Sequence, residues 1–395
     1  MTATIKLDPY SHEFHWDPYP AYKASRENDP IYYYEPGDFW LITRWEDVHA
    51  AFRDFKTFIN HQAVALEKEA TDTFPYPMFI GTDPPMHTQI RRLFGPMMTP
   101  MALAKLEEFT RRKAIALIQP HVATGRFDVV ADMACFLPMD VISQLVSVSS
   151  ADQDKVRGWA DDLISREDSQ VSLGERNVSG YMNLAKYFNE HADKHKNGPF
   201  SADLIGAIMQ AENEGALTRE QVIGNLILLA VAGNETTTKL IGNMAYRLWQ
   251  HKDQRQMLID NPALIAQAVE EVLRFDGSSQ IIVRRVGQDV TLHGKHLKKG
   301  DRVGLCVISA NRDPFKFKDP DVFDIRRGNR DHMAFGFGIH SCLGAALARM
   351  ETRVVFEELL KRIPDYEIEE DKLERAHNPN VRGFTHVPTH FPPKK

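Results

Sequence analysis

The residues best placed to do chemistry lie in the stretch Phe335-Gly336-Phe337-Gly338-Ile339-His340-Ser341-Cys342-Leu343-Gly344. Two glycines two apart allow a flattened turn whose backbone can approach a large flat partner. The following run, Ala345-Ala346-Leu347-Ala348-Arg349-Met350-Glu351, reads as a helix and puts Cys342 at its N-terminus. Unpaired N–H groups and partial positive charge there favour a thiolate over a thiol, as a metal ligand or nucleophile requires. A second candidate is Ala232-Gly233-Asn234-Glu235-Thr236-Thr237. Its surroundings are apolar, so a carboxylate at Glu235 is costly unless solvated or paired. Ala232 and Gly233 leave room for a flat ligand beside the helix. Thr236 can hydrogen-bond a small bound molecule or the carbonyl four residues earlier.

The elements that position these groups are mostly helical. Thr218-x-x-Gln221 is a capping box, and it opens a proline-free segment that runs to about His251. At ~1.5 Å per residue this helix is roughly 50 Å long and crosses the whole molecule. Its middle, Leu226 to Gly233, is apolar on all sides and must be buried from every direction. Near-3.6 periodicity predicts further helices over Met101–His121, Met133–Ser147, Ala151–Arg166, Glu175–Lys196 and from Asn261-Pro262 to about Phe275. Ile31–Tyr34 and Phe39–Ile42 read as two short strands whose partners come from Ile281–Val307. Phe58 to Pro85 reads as a long loop, and Asn311 to Met333 as an irregular meander that delivers the chain to the cysteine loop. The helix after Cys342 ends near Ile363-Pro364, and strand and loop follow it.

Composition narrows the class. The chain has 395 residues, 43% hydrophobic and 26% charged, which is ordinary for a globular protein. A net charge of −6 argues against a nucleic-acid binder. Cys135, Cys306 and Cys342 are far apart, which excludes a disulfide framework or a zinc ribbon. Met1 to Trp16 has no apolar core behind basic residues, and the longest apolar run is too short to span a bilayer, so the expectation is a soluble, cytoplasmic protein with no membrane partner. Gly336-x-Gly338 lacks the third glycine of a dinucleotide loop, and His12-Glu13-Phe14-His15 is one residue short of a zincin motif.

The pattern Phe-Gly-x-Gly-x-His-x-Cys-x-Gly resembles the cytochrome P-450 family, in particular its soluble bacterial members, and Ala232-Gly233-x-x-Thr236 matches a second family segment. Glu271-x-x-Arg274 and, from the meander, Arg327 match the family's structural triad. The resemblance implies a mainly α fold with a small β region, a triangular helical prism with haem between the long central helix and the cysteine-bearing helix. It implies one domain over 1–395, with β-rich parts at about 30–45, 281–307 and the tail, and helical parts at about 87–275 and 342–363. Cys342 would be the axial thiolate to the iron of haem b, favouring O–O cleavage. His87, Arg91, Arg284 and His340 would bind the haem propionates, and Ala232, Gly233, Phe335 and Gly344 would contact the cofactor. In a strand, a register slip would exchange Arg284 with Arg285.

The activity implied is monooxygenation, one atom of O2 entering a hydrophobic small molecule and the other leaving as water. Glu235 and Thr236 would form the acid–alcohol pair that passes protons to the dioxygen being reduced. Electrons would come from NAD(P)H through a ferredoxin and ferredoxin reductase, docking on a monomer at a basic face around Arg91 or Arg92, Lys105 and Arg349. The expected pocket comprises Phe79, Ile80, Leu229, Ile281 and Ile282, with a tail loop near Arg382 to Thr385. A fatty acid, terpenoid, steroid or polyketide is the implied substrate class. A peroxide-driven haem enzyme would use the same thiolate, and a ligand-sensing haem protein would keep Cys342 without needing a proton relay.

Overall fold

The Thr218 capping box closes reciprocally. Thr218 Oγ1 accepts the Gln221 N–H at 3.3 Å while Gln221 Oε1 accepts the Thr218 N–H at 2.9 Å. The helix it opens runs Arg219–Gln250, 32 residues, and packs against the helices Leu137–Val146, Glu175–His195, Ile265–Asp276 and Ala345–Arg362. Residues 6–61, 63, 65–67, 75–166, 172–201, 203–328 and 330–393 are described by this computed structural model. The described chain is mainly helical with a small β region, as expected.

The central helix belongs to two hydrophobic cores. Val222 to Ala230 packs with Leu184, Phe188 and Leu204, whereas Leu240 to Leu248 packs with Phe356, Leu359 and Val272. The cysteine helix, Ala345–Arg362, divides the same way, Leu347 in the first core and Val355 to Leu360 in the second. Between the two cores the central helix carries Ala232, Gly233, Thr236 and Thr237, whose small side chains do not fill the space facing Ala348 of the cysteine helix. That packing gap is where a cavity forms.

Strands β1 (Ile31–Tyr34), β2 (Phe39–Ile42), β3 (Phe58–Ile59), β4 (Ile281–Val286) and β5 (Arg302–Cys306) form one sheet in the order β1-β2-β5-β4-β3. The β2–β5 pair is parallel and the others are antiparallel, with Ile282 opposite Leu305 and Arg284 opposite Val303. The partners of the N-terminal hairpin therefore come from the expected segment. Leu204–Asn213 and Lys252–Asp260 are among the helices that the periodicity does not single out. The expected helix over Met133–Ser147 starts later, at Leu137, after a π turn at Val130–Ala134. Among the described residues no helix is long and apolar enough to cross a membrane.

Candidate active site

The loop ahead of the cysteine is shaped by its glycines. Gly336 and Gly338 adopt φ of 66° and 73°, and a Cβ on Gly338 would sit 2.7 Å from the Phe52 carbonyl oxygen. The Cys342 N–H then bonds the Phe335 carbonyl at 2.8 Å, folding the loop back so that Sγ faces a cavity of about 340 Å³. Cys342 is open to this cavity while protein atoms enclose it on its other sides.

The expected thiolate-favouring environment is corrected by this placement. Cys342 precedes the helix N-cap, Gly344, and burial pushes its thiol up despite the Gly344 N–H and the charges of Arg91 and Arg349. Desolvation outweighs the helix terminus. A cation bound at sulfur is what would deprotonate it here.

Opposite the cysteine loop, Ala232, Gly233, Thr236 and Thr237 of the central helix form the cavity wall, and the Thr236 hydroxyl donates to the Ala232 carbonyl at 3.0 Å. Glu235 does not join them. One residue along a helix turns the side chain by ~100°, so Glu235 faces a second, polar cavity on the other side. There Lys239 Nζ lies 3.3 Å from Glu235 Oε2, and Asp161 meets the same carboxylate. Burial raises Asp161 to about 8, helped by the hydrogen bond and charge of Glu235. Glu235 stays below its ordinary value because Lys239 and the Asp161 hydrogen bond outweigh its own burial. Near neutral pH the two carboxyls hold one proton between them.

Arg284 and His340 line the cavity that Cys342 faces, and His87 and Arg91 lie next to them. The rings of His87 and His340 lie 3.9 Å apart between centroids, and among the described residues neither nitrogen of the buried His87 ring has a hydrogen-bond partner. Burial pushes His340 down to about 2, and His87, Arg284 and Arg91 add to the shift. Arg284 is buried above the Phe52 ring and donates to the carbonyl of Val283 at 2.7 Å. Burial lowers it to about 10 against the charge of Asp83. Arg91 holds the cysteine loop directly, Nη1 to the Ser341 carbonyl at 2.7 Å and Nη2 to its hydroxyl at 3.1 Å. Strand β4 turns Arg284, and not Arg285, toward the cavity.

These observations fit a flat, dianionic, metal-centred ring. The buried Arg284 guanidinium and the paired His87 and His340 imidazoles call for anions at the rim, while a soft sulfur faces the interior. Phe335, Gly344, Leu343 and Ala348 line the floor near that sulfur.

Phe79, Ile80, Leu229, Ile281 and Ile282 all lie on the cavity wall. Phe79 is set by the central helix itself. Its N–H bonds Asn225 Oδ1 at 3.0 Å, and Gly224 lets the Pro77 carbonyl approach so closely that a Cβ there would lie 2.3 Å from it. The tail contributes Asn380 and Val381 rather than the expected stretch from Arg382 to Thr385. Arg382 is buried against Asp276 at 3.0 Å, Phe384 joins the core, and Thr385 lines the polar cavity instead. Phe52, Met98 and Ile142 also reach the cavity, from three segments whose apolar residues look like any other core positions in sequence.

Glu271 and Arg274 are fully buried and make paired contacts of 2.8 Å, and Arg327 Nε lies 3.4 Å from Glu271. Arg274 also donates to the carbonyls of Asn311, Pro320 and Val322, so the triad pins the meander. Sequence reading missed a second clamp beside it. Glu270 accepts from His332 Nε2 at 3.0 Å and from Arg349 Nε and Nη2 at 2.6 and 3.0 Å. Arg349 is thus engaged internally, with its guanidinium over the Phe335 ring. Of the expected basic face, Arg92 and Lys105 are the exposed members.

Comparison with known proteins bears on the same site. A family model described as Cytochrome P450 matches residues 180–379. Over 388 residues the chain is 37% identical to a cytochrome P450 123 of Mycobacterium tuberculosis, covering 97% of this chain and 96% of the relative. It is 33% identical over 404 residues to the vitamin D(3) 25-hydroxylase of Pseudonocardia autotrophica, covering 100% of this chain and 98% of that one. Among solved structures, CYP109E1 from Bacillus megaterium in complex with testosterone superposes with a TM-score of 0.88 at 31% identity, covering 96% of this chain and 99% of that one.

Proposed function

The chain belongs to the cytochrome P450 family and is a P450 monooxygenase, and from that premise we propose roles for its own residues. Cys342 would hold the haem iron through its thiolate, and His87, Arg91, Arg284 and His340 would hold the two propionates. Ala232, Gly233, Phe335 and Gly344 would contact the ring. When bound, haem supplies the iron at which O2 is reduced, so that one oxygen atom enters the substrate and the other leaves as water. The observation that carries this assignment is that Cys342, the His340 imidazole and the buried Arg284 guanidinium line one cavity, with the His87 ring packed against His340.

Proton supply is divided across the central helix. Thr236 lines the cavity with its hydroxyl donating to the Ala232 carbonyl, and there it would hold a proton donor for the O2 being reduced. Glu235 and Asp161, on the opposite side, store one proton and face the polar cavity from which it is replaced. Glu271, Arg274 and Arg327 do not touch the reacting atoms; they hold the meander in place behind the cysteine loop.

The substrate class we infer is a hydrophobic small molecule of steroid or secosteroid type. Phe79, Leu229, Ile281 and Ile282 offer it an apolar wall that excludes water. Relatives named for vitamin D(3) hydroxylation and bound to testosterone support this choice. Electrons reach the site from NAD(P)H through a ferredoxin and its reductase, docking on the cysteine side near Arg92 and Lys105, with the chain acting as a cytoplasmic monomer of one domain.

Turnover of testosterone and vitamin D3 under 18O2, with a ferredoxin system, tests this reading. Hydroxylated product carrying one labelled oxygen is expected. Oxidised product whose added oxygen comes from water would contradict monooxygenation, and failure of both probes with turnover of a fatty acid would overturn the substrate class alone.

A further inference from the structure

Arg247, Arg312, Arg375 and Arg382 line a cleft of about 540 Å³ near the N-terminal helices, with Lys23 also on its wall. None of these residues lines the cavity that Cys342 faces. The negative charge facing them is small. Asp276, wholly buried, accepts from Arg247 Nε and Nη2 at 2.9 and 2.7 Å, from Arg382 Nε at 3.0 Å and from the Tyr19 hydroxyl at 2.8 Å. Asp321 reaches Arg312 Nη1 at only 3.4 Å, with its side chain 59% exposed, and Asp17 completes the acidic lining. Glu374, next to Arg375 in sequence, lines the neighbouring polar cavity instead. Four guanidinium groups therefore share one buried carboxylate.

Two of the four are left with unused donors. Arg312 is 6% exposed and its guanidinium lies between the rings of Tyr19 and Phe275, 3.4 and 3.5 Å from their centroids, with no partner for Nη2 among the described residues. Arg375 lies 4.0 Å over the Phe384 ring and 5.5 Å from that of Trp16, and neither its Nε nor its Nη1 has a partner. A guanidinium cannot relieve such burial by losing its proton near neutral pH. Donors left unmatched in an enclosed site are costly unless a ligand satisfies them. Arg312 Nε donates to the Phe275 carbonyl at 2.9 Å, and the planar forks of Arg312 Nη2 and of Arg375 Nε and Nη1 match the oxygens of an oxyanion.

We propose that this cleft is a binding site for a small oxyanion, a phosphate or carboxylate group seated between Arg312 and Arg375. The bound anion supplies the counter-charge that Asp276 alone cannot. Burial and the charge of Arg382 push Arg375 down to about 9, the direction that an added anion reverses.

Calorimetric titration of the haem-loaded protein with inorganic phosphate, at ionic strength held constant with sodium chloride, tests the site. Saturable binding of one phosphate per chain is expected. Arg375→Gln should weaken it at least ten-fold. Gln250→Glu is the safer variant, because Gln250 is exposed at the cleft wall and accepts from Arg247 Nη1 at 2.8 Å. The added charge should weaken phosphate binding by about five-fold at moderate salt. Malonate in place of phosphate separates the two sources: tighter binding of either at the same variant-sensitive site supports the proposal and names the ligand. Absence of saturable binding for both anions, or affinity unchanged in both variants, would overturn it.

Discussion

Replacing Glu270 with glutamine tests how the cysteine loop is held. In the wild-type protein the Glu270 carboxylate joins the helix Ile265–Asp276 to His332, just ahead of the loop, and to Arg349, on the helix after it. Burial works against its charge, yet the bonds from His332 and Arg349 win and hold it down from 4.5 to about 2. At 1.36 kcal/mol per pKa unit the shift corresponds to roughly 3 kcal/mol of stabilisation. The Arg349 side chain is 34% exposed, so solvent screening reduces this to about 2 kcal/mol. An unfolding entropy of ~2.1 cal/mol/K per residue gives about 0.8 kcal/mol/K for the whole chain, so Glu270→Gln should lower the melting temperature by about 2–3 °C at pH 7. A carboxyl depressed by folding stabilises fully above its unfolded pKa, here 4.5. That contribution is lost as pH falls through the folded value near 2. The gap between wild type and variant should therefore shrink to about half by pH 3, followed by circular dichroism. No gap at pH 7, or an equal gap at pH 7 and pH 3, would refute the assignment of this stability to the Glu270 charge.

Thr236→Ala should uncouple electron consumption from product and release peroxide, measured as the ratio of product to NAD(P)H oxidised; unchanged coupling would remove Thr236 from proton supply. Asp161→Asn probes the other side of the helix. Because folding raises Asp161 to about 8 from 3.8, the folded protein binds a proton that the unfolded chain releases, and stability falls as pH rises across that window. The variant should narrow this loss, so its melting temperature relative to wild type should be higher at pH 9 than at pH 5. A difference independent of pH would contradict the shared proton.

Much of this site is legible locally. The capping box at Thr218, the hairpin strands and the glycine-shaped turn at Gly336 and Gly338 depend on neighbours within a few residues, so spacing alone reveals them. Glu235 shows where spacing misleads. Adjacency to Thr236 suggests a shared pocket, but helical rotation puts the two carriers on opposite cavities, a distinction that only the packing on each side reveals. The expected thiolate at Cys342 illustrates a competition of magnitudes, since enclosure by long-range packing outweighs the helix end. The Glu270 clamp was hidden because His332 and Arg349 lie 62 and 79 residues away. Leu204–Asn213 carried a readable start in Asp203, whose side chain accepts the Gly206 N–H at 2.9 Å, but its short amphipathic pattern followed a proline-containing loop and gave little periodicity.

The most direct test of Cys342 as the iron ligand is the absorption spectrum of the reduced, carbon monoxide-treated protein, wild type beside Cys342→His. A Soret band strongly red-shifted in the wild type and returned to the position of histidine-ligated haem in the variant is the result this structure predicts. The same band in both proteins would contradict it, because the iron would then be held by a residue other than Cys342.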